Sequence, residues 1–206
     1  MKVAFVAGIC LPALVAAAGP VSRGGEDVKT NPLLAPWSGP FGGLPPFSAV
    51  EVSQLGPALE AAMAEQLAAV ERIGEDPAPP TFENTLAALE RSGRTFDRVI
   101  NVYGVWASTM STPEFQAVER TMAPKLAAFA DRITQNAKLF ARIAAIYDSR
   151  EVSCKTAEQK RLAWLHYTNF VRAGAALDVA GKKRVAEINE RLATLSTAFM
   201  QNVLAE

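Results

Sequence analysis

The chain has 206 residues, with 21 basic and 21 acidic side chains, so its formal net charge is zero. A neutral chain has no bulk electrostatic attraction for nucleic acid or for an anionic membrane, and a hydrophobic content of 50% excludes an intrinsically disordered protein. One histidine and two cysteines exclude a disulfide scaffold and a metal site built on two histidines. The 37 alanines favour helix. The composition therefore predicts a helical, globular protein with few catalytic side chains.

The first residues have the features of a secretory signal peptide. A single lysine precedes an apolar run over residues 3–18 that contains no charge and ends in Ala16–Ala18, the small residues that signal peptidase accepts. The alternatives are a membrane anchor and a buried core segment, but Gly8 and Pro12 interrupt a run that is already short for a membrane span. We therefore expect residues 1–18 to be removed, and the mature protein to be exported, most simply to a periplasm.

Residues 19–47 are predicted to be non-helical. Residues 19–29 are polar and rich in glycine, so we expect them to be mobile. Asn31–Phe47 contains five prolines in 17 residues, which forbids a helix. Its apolar side chains are too numerous for a free linker, so we expect an extended strap that packs onto the body. These side chains are Leu33, Leu34, Trp37, Phe41, Leu44 and Phe47.

Residues 48–206 are predicted to form about six helices, because their apolar residues recur at spacings of three and four. No segment alternates with the period of two that is typical of a strand, so the predicted fold class is all-α, with several long helices packed antiparallel. The helices are expected near Pro57–Ile73, from Thr81 to Ala107, from Thr112 to Ile133 with a kink near Arg120 caused by Pro124, from Leu139 to Tyr147, from Thr156 to Gly174, and from Val179 to the last residue.

The sixth predicted helix has an apolar stripe with the spacing of a long antiparallel helix pair, and it reaches Glu206 without a glycine cap or a proline stop. A helical C-terminus is one interpretation. The other, which we prefer, is that the chain is the front part of a longer protein. In that case part of the stripe, Leu192, Leu195, Phe199 and Val203, should form an exposed apolar patch, and the chain should self-associate, bind a hydrophobic dye or fray at this helix.

The chemistry-bearing side chains do not form a catalytic pattern. His166 is the only histidine, and we expect it to be a partly buried or surface side chain and not a metal ligand. Cys154 has no visible base beside it, so a free surface thiol is expected. The basic run Lys182–Arg184 is followed by glutamates, which favours a charge-balanced helix surface over a phosphate site. We therefore assign no catalytic, cofactor-binding or metal-binding residue.

Several separate blocks resemble, in order, the N-terminal part of bacterial peptidyl-dipeptidases of the thimet-oligopeptidase family. None of them is a catalytic motif. The resemblance covers essentially all of Asn31–Glu206. The blocks are the strap NPLLAPWSGPFGGLPPF, ALEAAMAEQ at Ala58–Gln66, PTFENTLAALERSGR at Pro80–Arg94, MAPKL at Met122–Leu126, FVRAGA at Phe170–Ala175 and AEINERLATLSTAF at Ala186–Phe199.

The resemblance implies a helical zinc metallopeptidase in which two lobes enclose a channel and dipeptides are removed from the C-terminus of short peptides. It also implies zinc held by an H-E-x-x-H helix, with the motif glutamate as general base. H-E-x-x-H needs two histidines, so this chain lacks it, and we expect the chain to be inactive and to bind no zinc tightly.

The resemblance leaves two hypotheses for the chain. In the first, residues 48–206 form the N-terminal helical domain of a peptidase, truncated before the catalytic domain that would be its partner. In the second, the chain is a stand-alone helical module that binds peptides or proteins. A downstream reading frame that reaches H-E-x-x-H would separate the two. No nucleic-acid partner is expected, and no membrane association after signal cleavage.

Overall fold

A computed structural model describes residues 31–38 and 43–205. Within these ranges every regular element is helical and no strand is present, which confirms the all-α prediction. The predicted signal peptide, residues 19–29 and Phe41 lie outside the described residues. The elements are a 3-10 turn Phe47–Ala49, α1 Val52–Glu75, a π-helical segment Phe82–Ala87, α2 Ala88–Ser92, α3 Arg94–Thr109, α4 Pro113–Thr134, α5 Ala137–Asp148, α6 Arg150–Ser153, α7 Ala157–Arg172 and α8 Val179–Ala205.

The number of helices exceeds the predicted six for two local reasons. The predicted second helix is interrupted at Gly93, where φ is −89° and ψ is 0°, so α2 ends and α3 begins there. A short additional helix, α6, follows α5. The predicted start of the first helix was also wrong, since α1 begins at Val52 and Pro57 lies inside it. The Gln54 side chain accepts a hydrogen bond from the Glu51 N–H at 2.9 Å, which fixes this earlier start.

The other predicted helix ends are mostly confirmed. The hydroxyls of Thr112 and Thr156 accept hydrogen bonds from the N–H groups of Phe115 at 3.3 Å and Gln159 at 3.2 Å, which begins α4 and α7. Gly174 has a φ of +93° just after α7, a conformation that favours glycine and ends the helix. Helix α4 continues through Pro124 without a break. The kink near Arg120 stays a prediction.

The larger hydrophobic core lies between α1, α3 and α4. Leu55, Leu59, Val99 and Phe115 are fully buried in it. The strap covers one side, because Leu33 is also fully buried, Leu34 and Trp37 pack against the core, and Phe47 stacks on Trp106 at 5.9 Å between ring centroids. Leu44 remains exposed. The prediction that the strap packs onto the body is therefore confirmed for most of its described apolar residues.

A second core lies between the end of α1, the π-helical segment, α5 and α7. Its centre consists of aliphatic side chains such as Leu86, Leu139 and Ile143, which are fully buried. At its edge Arg142 is also buried, with its Nη1 donating to the carbonyl oxygens of Asp76 at 2.7 Å and Ala78 at 2.9 Å. Arg142 therefore fixes the proline-rich connection 76–80 to α5.

Helix α8 runs antiparallel to α4, since Gln201 contacts Gln116 near the start of α4 while Asn189 contacts Asp131 near its end. The predicted antiparallel pairing of the last helix is thus confirmed, with α4 as its partner. Polar side chains, among them Gln201 and Asn189, contact α4, while the apolar residues Leu192, Leu195, Phe199 and Val203 are exposed, as predicted. None of the helices in the described ranges combines the length and apolar character that a membrane span requires.

Candidate functional site

His166 lies on α7 and contacts α2. Its Nε2 is 2.8 Å from Oε1 of Glu90, and the histidine side chain is 15% exposed, which agrees with the predicted partly buried histidine. The contact joins one helix to another and presents no second nitrogen or thiol for a metal. In the part of the chain that the structure describes, no three His, Cys, Asp or Glu side chains cluster as metal ligands would.

Cys154 is not the surface thiol that the sequence indicated. It is 3% exposed and lies in the second core, because the short helix α6 turns it inwards between α5 and α7. A thiol enclosed by aliphatic side chains is not accessible to a peptide carbonyl. Cys154 is therefore a core residue of this fold.

The basic run Lys182–Arg184 lies in the first turns of α8, and two of its three cations have partners within the chain. Lys182 Nζ donates to the carbonyl oxygen of Gln135 at 3.1 Å, and Arg184 Nη1 donates to Glu187 at 3.2 Å. The arrangement fits the predicted charge-balanced surface.

A groove lies between α1 and α4. One section encloses about 490 Å³ and is lined by Ser53, Gly56, Pro57, Glu60, Glu114, Ala117, Val118, Thr121 and Met122. A Cβ on Gly56 would lie 3.9 Å from Val118 Cγ1 and 4.0 Å from Met122 Sδ, so the missing side chain keeps this section open. The groove was not predicted from the sequence. The signal for it in the sequence is the Gly56-Pro57 pair, which puts a residue without a side chain and a short ring inside a continuous helix.

An ion pair separates this section from a second one of about 290 Å³, which Phe129 and Met63 help to line. Lys125 on α4 pairs with Glu60 on α1, and both side chains are about half exposed. Such an exposed pair contributes little to stability. The groove is thus mainly apolar, with one ion pair across its middle and Glu114 at its end.

Tyr103 lies in the larger core against Phe115, with ring centroids 5.1 Å apart. Burial raises the pKa of Tyr103 to about 12, with the nearby charge of Glu119 as a second cause. The phenol therefore stays protonated at neutral pH and does not serve as a general base. Among the described residues that line the groove, no nucleophile is paired with a base.

A second surface is the outer face of α8, which we define as Ile188, Leu192, Leu195, Phe199 and Val203. Their exposed fractions are 42%, 55%, 48%, 66% and 52% respectively. Met200 and Leu204 flank this face and are 58% and 60% exposed. The predicted exposure of Leu192, Leu195, Phe199 and Val203 is confirmed. The outer face is a contiguous apolar surface of the kind that marks an interaction site.

The chain is similar to curated peptidases. It is 33% identical over 178 residues to the dipeptidyl carboxypeptidase of Salmonella typhimurium, a match that covers 86% of this chain and 26% of that protein. It is 33% identical over 175 residues to the dipeptidyl carboxypeptidase of Escherichia coli, covering 85% and 26%. It is 27% identical to oligopeptidase A of Salmonella typhimurium, covering 85% and 25%. No protein-family model matches the chain.

These matches cover 85–86% of the chain, while the chain spans only about a quarter of the length of the curated relatives. They agree with the resemblance drawn from the strap and the helical blocks. The chain is therefore homologous to the dipeptidyl carboxypeptidases and the oligopeptidases A.

Proposed function

We propose that this chain is the N-terminal helical portion of an exported zinc metallopeptidase that removes dipeptides from the C-terminus of short peptides. The observation that supports the proposal most is the 33% identity to two proteins named dipeptidyl carboxypeptidase. Identity to the proteins named oligopeptidase A is lower, at 25–28%. The difference favours dipeptide release over general oligopeptide cleavage.

The role we propose for this portion is a non-catalytic one. Its helices would form one wall of the substrate channel and narrow it, so that only short, unfolded peptides enter. The partner of this portion would be a catalytic domain. In the relatives, the three quarters of the sequence that this chain does not match are long enough to contain such a domain. The α1–α4 groove and the outer face of α8 are surfaces on which such contacts could be made.

Zinc belongs to the proposal only through that catalytic domain. The chain has a single histidine, and among the described residues no three His, Cys, Asp or Glu side chains lie together as zinc ligands would. We expect zinc to be held by the H-E-x-x-H segment of the longer protein.

A chimera tests the proposal directly. The 175 aligned residues of the Escherichia coli dipeptidyl carboxypeptidase would be replaced by the matching residues of this chain, with the unmodified enzyme and a deletion of the same segment as controls. We expect the chimera to release C-terminal dipeptides from short peptides with an altered KM, while the deletion is inactive. A chimera that is folded by circular dichroism and monodisperse, yet releases no dipeptide, would contradict the proposal.

Export is a separate part of the proposal, and it depends on residues 1–18 alone. We expect cleavage between Ala18 and Gly19 when the chain is expressed with its own N-terminus in a Gram-negative host. Mass spectrometry of the periplasmic fraction should find a chain that begins at Gly19. Material found only in the cytoplasm and beginning at Met1 would count against export.

A further inference from the structure

A cleft of about 360 Å³ lies where the second half of α1 meets the π-helical segment and α2. It shares no lining residue with the α1–α4 groove or with the outer face of α8. The buried side chains of Leu86 and Leu89 anchor the π-helical segment and α2 in the second core. The shape of the cleft is therefore fixed by packing within the described residues.

Part of the lining is apolar and small. Ala69 and Ile73 of α1 and Ala88 of α2 contribute it. Ile73 is buried in the second core, so the core closes this side of the cleft. The two alanines end at Cβ and leave the space beside them open. The cleft thus offers room and an apolar wall for a small aliphatic group.

Two arginines line the same cleft, Arg72 from α1 and Arg91 from α2. Arg91 Nη2 lies 2.8 Å from Oε1 of Glu83, a contact that holds the side chain and leaves its other nitrogens for a ligand. None of the ion pairs between described residues includes Arg72. A guanidinium without an internal partner, beside a second one, is suited to an anion.

The acidic residue of the lining, Asp76, already has partners. Its Oδ1 accepts from the Ala78 N–H at 2.9 Å, and its Oδ2 lies 3.4 Å from Nη2 of the buried Arg142. Asp76 and Arg142 balance each other, and Glu83 offsets one of the two lining arginines. One positive charge remains, so a ligand with a single negative charge balances the cleft.

We propose that this cleft binds a small aliphatic carboxylate. The carboxylate lies between Arg72 and Arg91, because the planar guanidinium donates two parallel hydrogen bonds to a carboxylate. The aliphatic group lies against Ala69, Ile73 and Ala88. The C-terminus of a short peptide and a free aliphatic acid share this chemistry. The inference uses the cleft alone and does not depend on the proposed peptidase function.

An NMR titration of the isotope-labelled, purified chain tests the binding. The probes are N-acetyl-alanyl-alanine, which carries a peptide C-terminus, and isovalerate, which is a free aliphatic acid. The C-terminal amide of the same peptide and inorganic phosphate are the controls. We expect saturable shifts of the Nε–H signals of Arg72 and Arg91 with the carboxylates and none with the amide, and the tighter of the two carboxylates identifies the source of the ligand. No saturable shift with either carboxylate, or equal shifts with the amide or with phosphate, would overturn the proposal.

Variants separate the cleft from general attraction by charge. Arg72→Gln and Arg91→Gln should each weaken carboxylate binding about tenfold, because each removes charge-assisted hydrogen bonds. The matched control is Arg184→Gln, since Arg184 is an exposed arginine that pairs with Glu187 on α8, and its binding should equal that of wild type.

Ala69→Leu keeps every charge and a good helix former but fills the cleft, so it should abolish binding. Circular dichroism would show that each variant is folded. Binding of wild-type strength in Ala69→Leu or Arg72→Gln would overturn the proposal, as would an equal loss in Arg184→Gln.

Discussion

At the scale of single residues, Arg142 shows how one buried cation joins two parts of the fold. Its guanidinium donates to two backbone carbonyls of the connection 76–80, to Thr85 Oγ1 at 3.2 Å and to Asp76 Oδ2 at 3.4 Å. These donors satisfy acceptors that a proline-rich turn cannot pair with its own N–H groups. The side chain is therefore expected to stabilise the fold well beyond the effect of a surface ion pair.

Replacing Arg142 with methionine keeps most of the apolar stem but removes every donor. Because the carbonyls of Asp76 and Ala78 would then lack a partner, we expect the free energy of unfolding to fall by about 3 kcal/mol. Urea denaturation would measure it. The matched control is Arg132→Met, since Arg132 lies 3.8 Å from Glu71 with both side chains about 60% exposed, and should lose far less. Equal losses in the two variants would contradict this role of Arg142.

Glu75 and Lys138 form an exposed pair that joins α1 to α5 at 2.8 Å. The hydrogen bond from Lys138, together with its positive charge, lowers the pKa of Glu75 below the usual 4.5. Because the folded pKa lies below the unfolded one, the stabilisation is fully present above the unfolded pKa. It is lost as the pH falls through the lower, folded pKa.

Lys138→Met should therefore raise the pKa of Glu75 towards 4.5, and the stability difference from wild type should vanish in acid. A carboxyl-carbon NMR titration would measure the pKa. Glu151 is the internal control, because its pKa is lowered by Lys160 and should not change. An unchanged titration of Glu75 in the variant would show that Lys138 does not act on it in solution.

At the scale of elements, the sequence predicts helix ends that are fixed by adjacent residues. It does not predict contacts between helices that depend on residues far apart in sequence. Thr112, Thr156 and Gly174 act on their own neighbours, so their caps were visible in the sequence. Gly93 also acts on its own neighbours. A glycine inside a long apolar stripe is compatible with a close helix contact and with a helix break, so the break at Gly93 was not predicted. The sequence predicts a later start for α1, at Pro57, because proline is common in the first turn of a helix, whereas the Glu51–Gln54 contact begins the helix at Val52.

Prediction from the sequence is least successful for the buried polar groups and the buried thiol. Arg142 and Asp131 are only 8% and 7% exposed, and the residues around them do not predict this burial, because their partners lie far away in sequence. Cys154 was placed at the surface because nothing in its neighbourhood reveals that α6 turns it inwards. The exposure of Leu192, Leu195, Phe199 and Val203 was predicted and is confirmed, but nothing near Gln201 and Asn189 in the sequence reveals that they contact α4.

The contact of α8 with α4 gives a prediction at this scale. Gln201→Ala removes one acceptor and one donor from a buried contact with Arg120, Gln116 and Glu119. We expect the last turns of α8 to exchange their amide hydrogens about tenfold faster, because losing one such contact costs about 1.4 kcal/mol. Hydrogen exchange with mass spectrometry would measure it, with the exposed neighbour Asn202→Ala as the control. If both variants exchange alike, the polar contacts do not hold α8.

At the scale of the whole molecule, the described residues form two packed cores and a polar helix pair. The scaffold is homologous to about a quarter of the dipeptidyl carboxypeptidases and oligopeptidases A. The sequence resemblance identified this relationship, because the strap and helical blocks are specific even though none of them is catalytic. The groove between α1 and α4 was found only in three dimensions.

The central proposal is that this chain supplies a helical scaffold and that the chemistry of the proposed peptidase is carried by residues outside it. The most direct measurement incubates the purified chain with zinc and short peptides and follows the products by mass spectrometry. We predict no release of C-terminal dipeptides above the protein-free blank. Dipeptide release that scales with the amount of chain, stops with a chelator and is lost in His166→Ala would contradict the claim.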